Sequence, residues 1–137
     1  LSDAVPNPVE LGLHLCYGDP GHKHVIEPAD LNVCVRLSNG FATETKRSIQ
    51  WVHMPVPRDR DDHAYFAPLE DLKLARDTEL ILGLVHYTGG IEATLRRMEV
   101  ADKFTKEFSV ATECGLGRRK PETLNKLLDM HVAAANA

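Results

Sequence analysis

The chain has 137 residues, of which 43% are hydrophobic and 26% are charged, as is typical of one soluble globular domain. Its formal net charge of −4 predicts no nucleic-acid partner. No apolar run approaches the roughly 18 residues of a membrane span, so no membrane partner is predicted either. Its three cysteines show no disulfide-framework spacing, which favours a reducing, cytoplasmic location.

Four short apolar runs alternate with four helical patterns along the chain. The predicted strands cover about residues 9–16, 48–54, 79–86 and 107–113, and the predicted helices lie near 28–43, 66–74, 90–104 and 121–134. The first helical segment is ambiguous because its apolar residues also alternate as in a strand, but the start Pro28-Ala29-Asp30 favours a helix. This order predicts a single α/β domain over residues 1–137, with parallel strands covered by helices.

The end of the first predicted strand carries two side chains that favour metal binding. His14 and Cys16 are two residues apart, so on a strand both point to the same face. An imidazole and a thiolate that converge in this way suit zinc. The alternative is a buried cysteine beside a hydrogen-bonded histidine.

Polar side chains follow each of the four predicted strands. They are His14, Cys16 and Asp19, then His53, Arg58 and Asp59, then His86, and finally Glu113, Cys114 and Arg118. Ligands of barrels and open α/β sheets bind at the carboxyl ends of the strands, so these residues predict one site. The histidines His22 and His24 are expected in solvent, and Cys34 in the packed interior.

Four βα units make half of an eight-stranded barrel. The chain also starts without methionine and with two early prolines, Pro6 and Pro8. We therefore expect the carboxyl-terminal half of a TIM (β/α)8 barrel, as a fragment of a longer chain. A homodimer that completes the barrel is the alternative, because two unpaired sheet edges favour pairing.

Four motifs follow one another in a characteristic order and spacing. They are His14-Leu15-Cys16-Tyr17, a strand ending near His53, Val85-His86, and Glu113-Cys114-Gly115-Leu116 followed by Arg118 or Arg119. Together they resemble the catalytic domain of cobalamin-independent methionine synthase over nearly the whole chain, and correspond to the last four βα units of its barrel.

The resemblance implies an enzyme of methionine biosynthesis. It implies that zinc is bound by His14, Cys16 and Cys114, and that a methyl group passes from a methyltetrahydrofolate-like donor to a zinc-bound thiol such as homocysteine. His86 is implied as the proton donor, with a pKa expected near physiological pH. Asp19, Glu113 and Arg118 are the expected substrate-binding residues.

One position departs from the family pattern. The family supplies a glutamate ligand from the intervening strand, whereas residues 48–55 of this chain contain no acid. His53 lies closest to that position and is the expected fourth ligand. The departure favours a methionine-synthase-like branch. Two alternatives stay open: a catalytically incomplete zinc-binding half barrel, and a related transferase that moves an alkyl group or opens an epoxide with a thiol.

Overall fold

A four-stranded parallel sheet forms the centre of the protein in a computed structural model that describes residues 2–18, 20–117 and 119–137. The strands are β1 (Gly12–His14), β2 (Trp51–Pro55), β3 (Glu79–Val85) and β4 (Ser109–Thr112), and they are adjacent in chain order. The predicted α/β class is confirmed. Three strands lie inside the predicted ranges, and β2 ends one residue beyond its range.

The helices agree with the sequence prediction at three of four places. They are α1 (Asn32–Glu44), α2 (His63–Phe66), α3 (Gly90–Ala101) and α4 (Leu124–Ala135). The ambiguous first segment is helical because Leu31, Cys34 and Val35 come together on one buried side. In the described part of the chain, no helix is both long and apolar enough to cross a membrane.

The second helical segment differs from the prediction of a helix near residues 66–74. It begins earlier, because the Asp62 side chain accepts a hydrogen bond from the Tyr65 backbone N–H and caps the start of α2. A 3₁₀ helix, Ala67–Asp71, then continues the turn, and Leu72 is already extended. The prediction of one longer helix here was therefore wrong.

The hydrophobic core lies between the sheet and the helices. Val52 and Met54 of β2 stand beside Leu80 and Leu82 of β3 in register, and all four are buried. They share one cluster with Leu31 and Val35 from the first helical segment. Because side chains alternate along a strand, the opposite face of the sheet carries His53 and its neighbours.

A close contact holds the first two strands together on that opposite face. Gly12 of β1 lies against the indole of Trp51 in β2, where an added Cβ would come 1.9 Å from Trp51 Cε2. Glycine is therefore required for this contact. The same register places His14, the last residue of β1, directly beside His53 in the middle of β2.

Candidate metal centre

His14, Cys16 and Cys114 lie together at the carboxyl end of the sheet. The two sulfur atoms are 3.9 Å apart, and a ring nitrogen of His14 and both sulfurs lie within 4.8 Å of one another. Two sulfurs bound to one tetrahedral zinc at about 2.3 Å would be about 3.8 Å apart, whereas a disulfide bond is about 2.0 Å long. The predicted convergence is observed, and its dimensions fit a tetrahedral metal ion.

The two cysteines come from opposite edges of the sheet. Cys16 follows β1 and Cys114 follows β4, with two strands between them. In a flat sheet, three strand spacings of about 4.8 Å would separate these ends by about 14 Å. The chain therefore bends inward over one face. Gly83 of β3 permits this path, because an added Cβ would lie 2.7 Å from the Cα of Glu113, beside Cys114.

His53 contacts His14 and lies outside the group of three possible ligands. Their Nδ1 atoms are 2.7 Å apart, so one ring donates a proton and the other accepts it. Burial, and then the neighbouring His14, lower the pKa of His53 to about 4, which keeps His53 neutral. Metal-binding histidines commonly use their second nitrogen in this way. The geometry fits His53 as a partner that orients His14, and its role as a fourth ligand stays a prediction.

A hydrogen-bonded chain positions the residue after Cys16. The Cys34 thiol donates to the Tyr17 hydroxyl at 3.3 Å, the Tyr17 and Tyr65 hydroxyls are 3.2 Å apart, and Tyr65 donates to the Pro55 carbonyl at 2.9 Å. Burial raises the pKa of Tyr17, so the hydroxyl stays protonated. Cys34 is 3% exposed, which confirms that it belongs to the interior.

Two of the three possible ligands, Cys16 and Cys114, line a cleft of about 570 Å³. Predicted site residues Cys16, His86, Glu113 and Cys114 line it. Four cationic side chains line it as well: Lys23, Arg58, Arg119 and Lys120. Two other predicted site residues, Asp19 and Arg118, lie outside the described residues. The carboxylates of Glu27, Asp59 and Glu113 line it too, so the cleft combines soft metal ligands with charged groups of both signs.

His86 is a buried, neutral histidine. It is 6% exposed, and its Nε2–H donates to the Val56 carbonyl oxygen at 2.7 Å. Burial, and then the charge of Arg97, lower its pKa to about 4. The expectation of a pKa near physiological pH was wrong, because the sequence did not show how completely the ring is desolvated.

The lowered pKa of His86 predicts a loss of stability in acid. Between a pH of about 6.5 and a pH of about 4, the His86 ring is protonated in the unfolded chain and neutral in the folded chain. The free energy of unfolding is therefore highest above this pH range and falls as the pH drops through it. The expected loss is about 3 kcal/mol. Denaturant unfolding of the wild type and His86→Gln at several pH values measures it. An equal pH dependence in both proteins contradicts the prediction.

His24 was expected in solvent, and the structure places it in the cleft. Its Nδ1 lies 2.9 Å from Glu27 Oε2, its Nε2 lies 2.7 Å from Glu113 Oε1, and only 15% of its side-chain surface is exposed. Its ring also packs edge-on against Tyr17. The spacing of His24 and Glu27, three residues apart, is a local signal for this contact. The contact with Glu113 depends on the fold, because these residues are far apart in sequence.

Comparisons with protein-family models, with curated proteins and with solved structures give no match to this chain. The resemblance to cobalamin-independent methionine synthase therefore rests on the motifs in the sequence alone. Any function has to be argued from the residues of the cleft.

Proposed function

We propose that this protein is a zinc-dependent S-alkyltransferase, which transfers a methyl group from a methyltetrahydrofolate-like donor to a thiol such as homocysteine. One observation carries the proposal: the sulfurs of Cys16 and Cys114 are 3.9 Å apart and share a cleft wall with His14 close by. The motifs that resemble methionine synthase support the same chemistry.

The donor set favours zinc over harder cations. Two thiolates and an imidazole are soft or intermediate ligands, whereas magnesium and calcium prefer oxygen. Three protein ligands leave one tetrahedral position for a substrate sulfur, as in catalytic zinc sites. Bound here, zinc would supply Lewis acidity that keeps a substrate thiol deprotonated at neutral pH.

Side chains around the thiols prepare the cleft for an anionic thiol substrate. The Gly18 backbone N–H donates to Cys16 Sγ at 3.3 Å, which favours the thiolate form of Cys16. Lys23 and Arg119 line the same cleft and suit a carboxylate on the substrate. The Nε2–H of His86 donates to the Val56 carbonyl oxygen, so Nδ1 is the ring nitrogen that can accept a hydrogen bond.

We propose further that the sheet is half of a TIM (β/α)8 barrel. Its strands are adjacent in chain order, as in a barrel, whereas doubly wound sheets reverse their order. The inward bend that brings Cys16 to Cys114 agrees with a curved sheet. A preceding segment of a longer chain, or a second copy of this one, would supply the other four strands.

A transfer assay tests the function. Zinc-loaded full-length protein is mixed with methyltetrahydrofolate labelled in its methyl group and with homocysteine, and labelled methionine is measured. We expect Cys114→Ser to lower the rate more than about 100-fold. Loss of a residue that only hydrogen-bonds to a zinc ligand already lowers metal affinity or activity by up to about 100-fold. The control His63→Gln, which alters an exposed histidine outside the cleft, should retain activity. Equal rates in wild type and Cys114→Ser contradict the proposal.

A further inference from the structure

We propose that His24 is the proton donor of the cleft, held between Glu27 and Glu113. This proposal rests on the proposed S-alkyltransferase function and assigns one of its steps to a residue that the methionine synthase motifs do not include. The geometry carries it: the two ring nitrogens of one histidine each contact a carboxylate oxygen, at 2.9 Å and 2.7 Å.

His24 Nδ1 is hydrogen-bonded to Glu27, and its Nε2 makes a close charge contact with Glu113. Ionised carboxylates only accept hydrogen bonds, and only the imidazolium form of histidine has an N–H on both nitrogens. Two carboxylate partners therefore select the cation. Burial lowers the pKa of His24, but the hydrogen bond that its ring donates to Glu27 and the negative charges of Glu27 and Glu113 outweigh burial and raise this pKa. His86 shows the opposite balance and is neutral.

The groups that face His24 come from three parts of the cleft. Glu27 lies on its own loop, the Tyr17 ring edge comes from the segment after β1, and Glu113 comes from the segment after β4. Glu113 directly precedes Cys114, so the carboxylate partner of the imidazolium is joined to one of the two thiols. The proposed proton donor therefore lies in the same cleft as the proposed metal ligands Cys16 and Cys114.

The chemistry of the proposed transfer requires such a proton. The substrate thiolate forms the new sulfur–carbon bond while the carbon–nitrogen bond of the donor breaks, and the electron pair of that bond stays on nitrogen. The His24 proton moves to this nitrogen, so that the amine leaves neutral instead of as an anion. The neutral imidazole, between two carboxylates, then takes a proton from water.

A pair of methyl donors separates proton transfer from a structural role. Methyltetrahydrofolate needs protonation of its leaving nitrogen, whereas methyl iodide releases iodide without a proton. In zinc-loaded full-length protein with homocysteine as acceptor, we expect His24→Gln to slow transfer from methyltetrahydrofolate about 100-fold or more and to change transfer from methyl iodide less than about threefold. The control His63→Gln alters an exposed histidine outside the cleft and should change neither rate.

The outcomes distinguish the two proposals. If His24→Gln slows transfer from both donors equally, His24 has only a structural role in its loop. If it slows neither, His24 is dispensable. Either result overturns the role of His24 as proton donor and leaves the proposed S-alkyltransferase function standing. Wild-type protein that transfers methyl from neither donor overturns the S-alkyltransferase function and this role with it.

The dependence of the rate on pH tests the part played by Glu27. The rate with methyltetrahydrofolate should fall as the pH rises through the pKa of His24, because the proton is then lost. Glu27→Gln removes a group that raises this pKa, so the fall should move to lower pH, while Glu122→Gln, an exposed control, should leave it unchanged. An identical pH profile in Glu27→Gln and wild type overturns the proposal that Glu27 stabilises the protonated form of His24.

Discussion

We expect serine in place of either Cys16 or Cys114 to abolish the zinc binding that we propose for this protein. The wild type should retain about one zinc per chain, because two thiolates and an imidazole complete three of the four positions of a tetrahedral site. A serine hydroxyl stays protonated at neutral pH and is a poor zinc ligand, so we expect affinity to fall more than about 100-fold. Elemental analysis after dialysis, with competition by a chromophoric chelator, measures both the stoichiometry and the affinity.

Cys34 provides the matched control for this experiment. It is the one other cysteine of the sequence, it is buried in the hydrophobic core, and its thiol donates to the Tyr17 hydroxyl. Cys34→Ala should therefore keep its zinc. A wild-type protein without zinc, or equal zinc contents in the Cys16→Ser and Cys34→Ala variants, would refute the metal centre.

Replacing Arg97 by methionine will strongly destabilise the fold. Arg97 is 1% exposed, and its guanidinium donates to the Leu84 carbonyl at 3.0 Å and to the Arg58 carbonyl at 2.8 Å. Methionine fills similar space but leaves these carbonyl oxygens without their donor, which we expect to cost about 3 kcal/mol, or about 10 °C in melting temperature. Calorimetry and denaturant unfolding measure the loss.

The adjacent arginine gives the control. Arg96 is 60% exposed in its side chain, and its guanidinium lies 3.6 Å from Asp61, so Arg96→Met should cost less than about 1 kcal/mol. Equal losses in the Arg96 and Arg97 variants would show that the buried hydrogen bonds do not matter. The Arg97 contacts also join the end of β3, next to His86, to the loop of Arg58, so the same variant should disturb the cleft.

Much of the fold could be predicted because its signals are local. Short apolar runs between turn residues marked the four strands, and Pro28-Ala29-Asp30 correctly favoured a helix where the apolar residues alternated. The second helix begins earlier than the pattern of apolar residues predicts. Its start depends on the cap that the Asp62 side chain forms, and apolar periodicity does not show this cap.

The candidate ligands could also be predicted in kind, because cysteine and histidine two residues apart on a strand share a face. What could not be predicted is how His53 would be used. Whether it binds the metal or orients His14 depends on where the fold places the two rings, and sequence spacing does not reach that precision.

The sequence by itself determined the α/β order and the residue types that can bind zinc, because both follow from patterns between near neighbours in the chain. Only the tertiary structure decided in which direction the pKa of each histidine shifts. His24 lies between two carboxylates that the fold brings together, whereas His86 is buried beside Arg97, and the pKa of each ring depends on this desolvation and on charges from distant segments.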